Sequence, residues 1–132
     1  MDEARRKRGK ASRVAGQKWE REVVKDLNEI VDEEITTSRL SSRALDNRKI
    51  DIHGMPLFDI QCKVIGSNSI DTRELYKIES KEFPIVAAMM RLKKGKTFRT
   101  QRKVILMDYN DFLEILKQYV FVKTEADNTL GE

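Results

Sequence analysis

At 132 residues and 15.4 kDa the chain is long enough for one modest domain with a single core, and too short for a comfortable second one. Hydrophobic residues make up 39% and charged residues 36%, a balance that argues against both a disordered chain and a membrane protein. The net charge is +4, and its distribution says more than its size: residues 91–103 carry seven Lys/Arg and residues 5–13 carry six, with no acid in either run.

Such basic blocks suit neutralisation of phosphates by counterion release, and the plain alternative is that they only solvate the surface. No apolar run approaches the roughly 18 to 20 residues of a spanning helix. The opening MDEARRKRGK leads into a helical pattern rather than an apolar signal core, so a cytoplasmic protein is expected, in the host cytoplasm if the source is viral. The single cysteine, Cys62, has no partner for an internal disulfide and lacks the Cys/His company of a zinc site. It reads as a small buried apolar residue.

In chain order, a basic arm over residues 1–12 precedes a long helix from about Ser12 to Glu34, in which Trp19, Val23, Val24, Leu27, Ile30 and Val31 recur at helical spacing. EITTSRL predicts a strand, SSRALDN a loop, and KIDIHG a short strand ended by the turn from Gly54 to Pro56. LFDIQCKVI alternates strictly, with Phe58, Ile60, Cys62 and Val64 pointing one way and Asp59, Gln61 and Lys63 the other. SIDTRELYKIESK predicts a helix with Asp71 and Glu74 as a capping box. FPIVAAMMRL predicts a central strand, KKGK a turn, FRTQRKVILMDY a further strand, and YNDFLEILKQYV a helix capped by Asp108 or Asn110. A loose tail is expected over 124–132. The expected architecture is a single α/β domain with a central, mixed, five-stranded sheet flanked by helices.

Glu20 is the useful anomaly. On a helix advancing about 100° per residue, the apolar side chains from Trp19 to Val31 fill an arc of roughly 140°, and Glu20 falls inside it. A carboxylate on that side needs a cation, a cluster of donors or a metal. The ordinary alternative is an ion pair with Arg13 or Arg39. Asp51, between Ile50 and Ile52, faces away from the core with Lys49 and His53, or else serves as a turn or cap residue. The next strand then presents Gln61 and Lys63 on one face behind Asp59, which is unusual for a core and ordinary for a site. His53, the one histidine, reads as a turn-flanking side chain.

A Glu on the first helix, an Asp on a strand, and a following strand with (D/E/Q)-x-K resembles the PD-(D/E)xK nuclease superfamily. Within it the chain is most similar to the archaeal-type Holliday junction resolvases and their phage members, through GQKWEREVV, SRLSSRALDNRKIDIHG and FDIQCKVI. The likeness spans roughly residues 13 to 118.

The resemblance implies a restriction-endonuclease-like fold and a metal-dependent DNA endonuclease, acting as a homodimer that resolves four-way junctions by paired phosphodiester hydrolysis. Glu20, Asp51, Gln61 and Lys63 would be catalytic. Mg2+ or Mn2+ would be held by Asp51, the Gln61 amide oxygen and the Cys62 carbonyl, with Glu20 reaching it through water or a second ion. Lys63 would orient the attacking water or stabilise developing charge. Arg21, Arg39 and a hydroxyl of Ser41 or Ser42 match positions that contact the scissile strand, with Arg13, Arg43, Lys93, Lys94 and Lys96 as further DNA contacts. Gln61 departs from the Glu of most relatives, so metal affinity should fall unless Asp59 assists. Two other readings stay open: a restriction- or repair-type nuclease of the same superfamily, and a DNA-binding module that keeps the fold without the activity.

Overall fold

The structure, a computed structural model, describes residues 3–67 and 69–130. Helix α1 (Glu3–Asn28) buries Trp19 and Val23 and packs Val24 and Leu27 beside them. It begins nine residues before the Ser12 start read from the sequence, because, Gly9 apart, residues 3–11 are Ala, Glu, Lys and Arg, all good helix formers. From Glu3 to Val14 its described side chains are exposed, so this half projects from the core. The helix also ends earlier than expected. Asn28 Nδ2 donates to the Ile35 carbonyl at 3.0 Å and the Ile35 N–H donates to Asn28 Oδ1 at 2.9 Å, turning the chain back and leaving Ile30 80% exposed.

The expected strand over 34–40 shrinks to β1 (Thr36–Thr37), followed by a helical turn, α2 (Ser38–Ser41). The expected loop holds a second short helix, α3 (Arg43–Asn47), whose N-cap Ser42 accepts the Leu45 N–H at 3.3 Å. At its other end Lys49 takes a left-handed φ of 64°, with its N–H bonded to the Asp46 carbonyl and the Ile50 N–H to the Leu45 carbonyl. This is a Schellman stop with its usual apolar contact, since Ile50 and Leu45 share a core cluster. By driving Ile50 into the interior, it presents Asp51 at the start of β2 (Ile52–His53). Gly54 follows at φ +91°, where an added Cβ would lie 2.3 Å from the Glu34 carbonyl oxygen, so only glycine fits.

Strand β3 (Phe58–Ile65) runs parallel to β4 (Phe83–Lys94), which pairs antiparallel with β5 (Thr97–Met107). The central position expected of β4 is therefore observed. The five strands divide into a three-stranded sheet, β3-β4-β5, and a separate antiparallel pair, β1-β2, rather than forming one five-stranded sheet. Between β3 and β4 the expected helix is one turn, α4 (Arg73–Tyr76). No capping box forms there: Asp71 Oδ1 accepts the Arg73 N–H, and Glu74 turns to Lys63 and Lys77.

Both faces of the sheet are covered. On one, α1 packs over Ile60, Ile85 and Ala87, and the Trp19 indole N–H donates to the Ala87 carbonyl at 2.9 Å. On the other, Val86 and Ala88 meet Ile50, Leu75 and Ile78. Helix α5 (Tyr109–Leu130) is capped by Asp108, which accepts the Asn110 N–H at 2.9 Å. It continues through residues 124–130, where a tail is expected, and from Leu116 to Asn128 every side chain is exposed. Among the described residues no helix is long and apolar enough to cross a membrane.

Candidate active site

The free edge of β3 is the meeting place. Asp51 runs alongside it, its N–H donating to the Ile60 carbonyl at 2.7 Å and its carbonyl accepting the Ser38 N–H at 2.8 Å. Its side chain lies over the strand, where Oδ2 accepts the Cys62 N–H at 2.8 Å. Asp51 is thus no turn or cap residue. Burial holds its carboxyl above the usual carboxylate range, opposed by that N–H and reinforced by the charge of Asp46.

Glu20 approaches from the α1 side. Its carboxyl is raised first by burial and next by the negative charge of Asp51. Of the two cations considered for it, Arg39 is the one it meets, through a guanidinium contact of 2.5 Å. Lys63 comes from the opposite face of β3, close enough to lower the Asp51 carboxyl, and its ammonium lies 3.3 Å from Glu74. Cys62 packs into the core under α1, and burial pushes its thiol up, as expected of an apolar filler. Its charge neighbours are again Asp51 and Glu20.

Gln61 is 7% exposed, and its Oε1 is buried without a hydrogen-bond partner. An amide oxygen in that condition costs stability unless something positive reaches it. Asp59 is occupied elsewhere: its Oδ2 accepts the Ser80 hydroxyl and the N–H groups of Lys81 and Glu82, closing the turn into β4. The assistance considered for it at Gln61 is not seen.

Among the described residues no three His, Cys, Asp or Glu side chains form a group able to hold a metal ion. The oxygen donors here are the carboxylates of Glu20 and Asp51, backbone carbonyls of β3 and, from the strand face shared with Lys63, the Gln61 amide oxygen. That all-oxygen set suits a hard divalent cation rather than zinc, and the orphaned Gln61 oxygen fits the same use.

The expected DNA contacts scatter more widely. Arg21 and Arg39 line a small cleft with Glu20. Arg13 is exposed on the projecting half of α1, Arg43 on α3, and Lys96 at the β4–β5 turn. The hydroxyls of both serines have intramolecular partners, Ser42 at the α3 cap and Ser41 with Thr36 at 2.6 Å. The side chains of Lys93 and Lys94 lie outside the described residues. His53 sits opposite Thr36 on β2, beside the Gly54 turn.

No family model, curated protein or solved structure matches the chain.

Three residues at the site escaped the sequence reading. Ser38 is fully buried beside the Asp51 backbone, Asp46 adds negative charge to both carboxylates, and Glu74 holds Lys63. For Glu74 the signal was there and misassigned, since the capping pattern claimed it. Ser38 and Asp46 are brought in by α2 and α3, which the sequence does not announce.

Proposed function

We propose that the chain is a metal-dependent DNA endonuclease with a restriction-endonuclease-like core, resolving four-way junctions by paired phosphodiester hydrolysis. One observation carries this reading: Asp51 lies within electrostatic reach of Glu20 on one side and Lys63 on the other, each from a separate segment, at the edge of β3, and the buried Gln61 oxygen of that strand has no partner. Asp51, Gln61 and the Cys62 carbonyl would hold Mg2+ or Mn2+, with Glu20 reaching it through water or a second ion. When bound, the cation supplies charge neutralisation at the phosphate and a lowered pKa for the attacking water.

The chain's own groups do the rest. The Cys62 N–H fixes one oxygen of Asp51, and the other would be the one to hold a cation. Lys63 orients the water and steadies charge developing on the phosphate. The water oxygen bonds to phosphorus and gives a proton to solvent, while the bond to the leaving strand oxygen breaks and that oxygen takes a proton from solvent to leave as a hydroxyl. Arg21 and Arg39, beside Glu20, neutralise the phosphate flanking the cut. A homodimer would supply two such sites, and the exposed Tyr119, Val120, Phe121 and Val122 of α5 offer apolar surface for one.

The neutral Gln61 favours a second reading, a DNA-binding module of the same architecture with weak or absent activity. The two separate on incubation with a synthetic four-way junction, linear duplex and single strands, with Mg2+ and with chelator. Paired nicks in the junction only with Mg2+ are expected; cutting of every duplex points to a restriction- or repair-type nuclease, and tight binding without cuts to the module. Asp51→Asn and Lys63→Ala should each reduce cleavage by about 10²-fold or more with binding largely kept.

A further inference from the structure

A second cleft, of about 780 Å³, opens between α1 and the strands β4 and β5. Five cations line it, Lys18, Arg21 and Lys25 from α1 and Arg91 and Lys103 from the strands, against one carboxylate, Glu22. Glu22 is itself bound to Lys103 at 2.5 Å, so four of the cations face no carboxylate of the cleft's own lining. Its wall also carries an aromatic platform. Phe98 is 49% exposed, and the Arg91 guanidinium stacks on one face of its ring at 4.1 Å from the centroid, which steadies the ring and leaves the other face for a base.

Charge alone would serve any phosphate backbone. An exposed aromatic ring within a cationic cleft serves a base that is unstacked and unpaired, because bases inside a duplex offer no face to stack on. The cleft adjoins the one at Glu20, since Arg21 lines both it and the small cleft that holds Glu20 and Arg39. Arg21 thus stands between a strand lying at Glu20 and the cleft that holds Phe98.

Resting on the nuclease reading, we infer that this cleft grips a single-stranded DNA segment running on from the cutting site, its phosphates against Lys18, Arg21 and Lys25 and a base stacked on Phe98. A junction with an unpaired stretch beside the bond to be cut is then preferred over a fully paired one.

Binding in chelator, at fixed salt, tests the grip without calling on activity. Fluorescein-labelled blunt duplex and the same duplex with a ten-nucleotide thymidine overhang are titrated with wild type, Phe98→Ala and Phe98→Trp. Wild type and Phe98→Trp should bind the overhang at least about fivefold more tightly than the blunt duplex, and Phe98→Ala should lose that preference while still binding blunt duplex. Equal affinity of wild type for both DNAs, or a preference unchanged in Phe98→Ala, overturns the inference. The Mg2+ cleavage assay of Asp51→Asn reports separately on the nuclease reading, so either idea can fail alone.

Discussion

Arg39 and Glu20 are held together across the mouth of the site, guanidinium to carboxylate at 2.5 Å. The pair joins the helical turn after β1 to the core-facing side of α1, and it is half open to solvent on the arginine side. Such a pair contributes little to stability, on the order of 0 to 1 kcal/mol. Its value lies in what the cation does for a carboxylate that also sits beside Asp51. Arg39→Ala is therefore expected to leave the melting temperature nearly unchanged and to slow single-turnover cleavage of a junction by roughly 10- to 100-fold, with Arg39→Lys recovering only part because it lacks the planar fork. A cleavage rate equal to wild type in Arg39→Ala would remove Arg39 from the site.

The acid pair itself predicts how stability depends on pH. Burial, and for Glu20 also the charge of Asp51, holds both carboxyls above their ordinary values in the folded protein. Folded protein without metal thus binds protons at these positions more tightly than the unfolded chain does. Their contribution to stability is complete below the ordinary carboxylate pKa and is lost as pH rises through the raised values, so at neutral pH the two anions weaken the fold. In chelator at pH 7, Asp51→Asn should melt higher than wild type, its amide oxygen still accepting the Cys62 N–H, and the gain should vanish near about pH 4. Added Mg2+ should raise the melting temperature of wild type and not of the variant. Scanning calorimetry at the two pH values decides it, and a lower melting temperature for Asp51→Asn at pH 7 contradicts the assignment.

What the sequence made legible follows from periodicity and local chemistry. Strict alternation marked β3 and the continuous apolar run marked the central β4, and these two strands fix where Gln61, Cys62 and Lys63 stand. The misplacement of Glu20 on an apolar arc was enough to single it out, and the ion pair with Arg39, its ordinary alternative, is the contact the structure shows. The stretch from Ile35 to Ile50 was not legible. Its β-branched Thr36 and Thr37 signalled a longer strand, whereas pairing with the β2 side ends at Ser38, whose N–H still bonds the Asp51 carbonyl while its own carbonyl accepts the Ser42 N–H and opens a helical turn. Nor does a lysine at 49 advertise a left-handed helix stop, a place where glycine is the usual signal. The division into sheets of two and three strands follows from the same stretch, since β1 and β2 are only two residues long.

Trp19 anchors α1, and hence Glu20, to the central strand. The residue is 5% exposed and its indole N–H reaches the Ala87 carbonyl at 2.9 Å. Trp19→Phe keeps most of the ring and loses the hydrogen bond, an expected cost of about 1 kcal/mol, while Trp19→Ala opens a cavity at about 3 to 5 kcal/mol. Urea denaturation measures both. Trp19→Phe should also slow cleavage more than so small a loss of stability accounts for, because Glu20 is the next residue along the helix. If its rate falls no further than its folded fraction does, the indole matters for packing alone.

Gln61 offers the sharpest separation of function from stability. Its Oε1 lies buried at the β3 edge with no donor to satisfy it. Gln61→Glu keeps the shape and adds a negative charge, which in a metal-free protein is a further buried anion near Asp51 and in a metal-bound one is a third anionic ligand. In chelator at pH 7 the variant should melt below wild type. With Mg2+ it should reach half-maximal cleavage at a lower metal concentration, with activity kept or raised, and it should gain more in melting temperature from the metal than wild type does. Titrating Mg2+ against cleavage rate and melting temperature in parallel reads both effects. A variant that loses stability and also needs more metal would mean that the Gln61 oxygen faces the protein interior and not a cation, and the donor set would then shrink to the two carboxylates and backbone carbonyls.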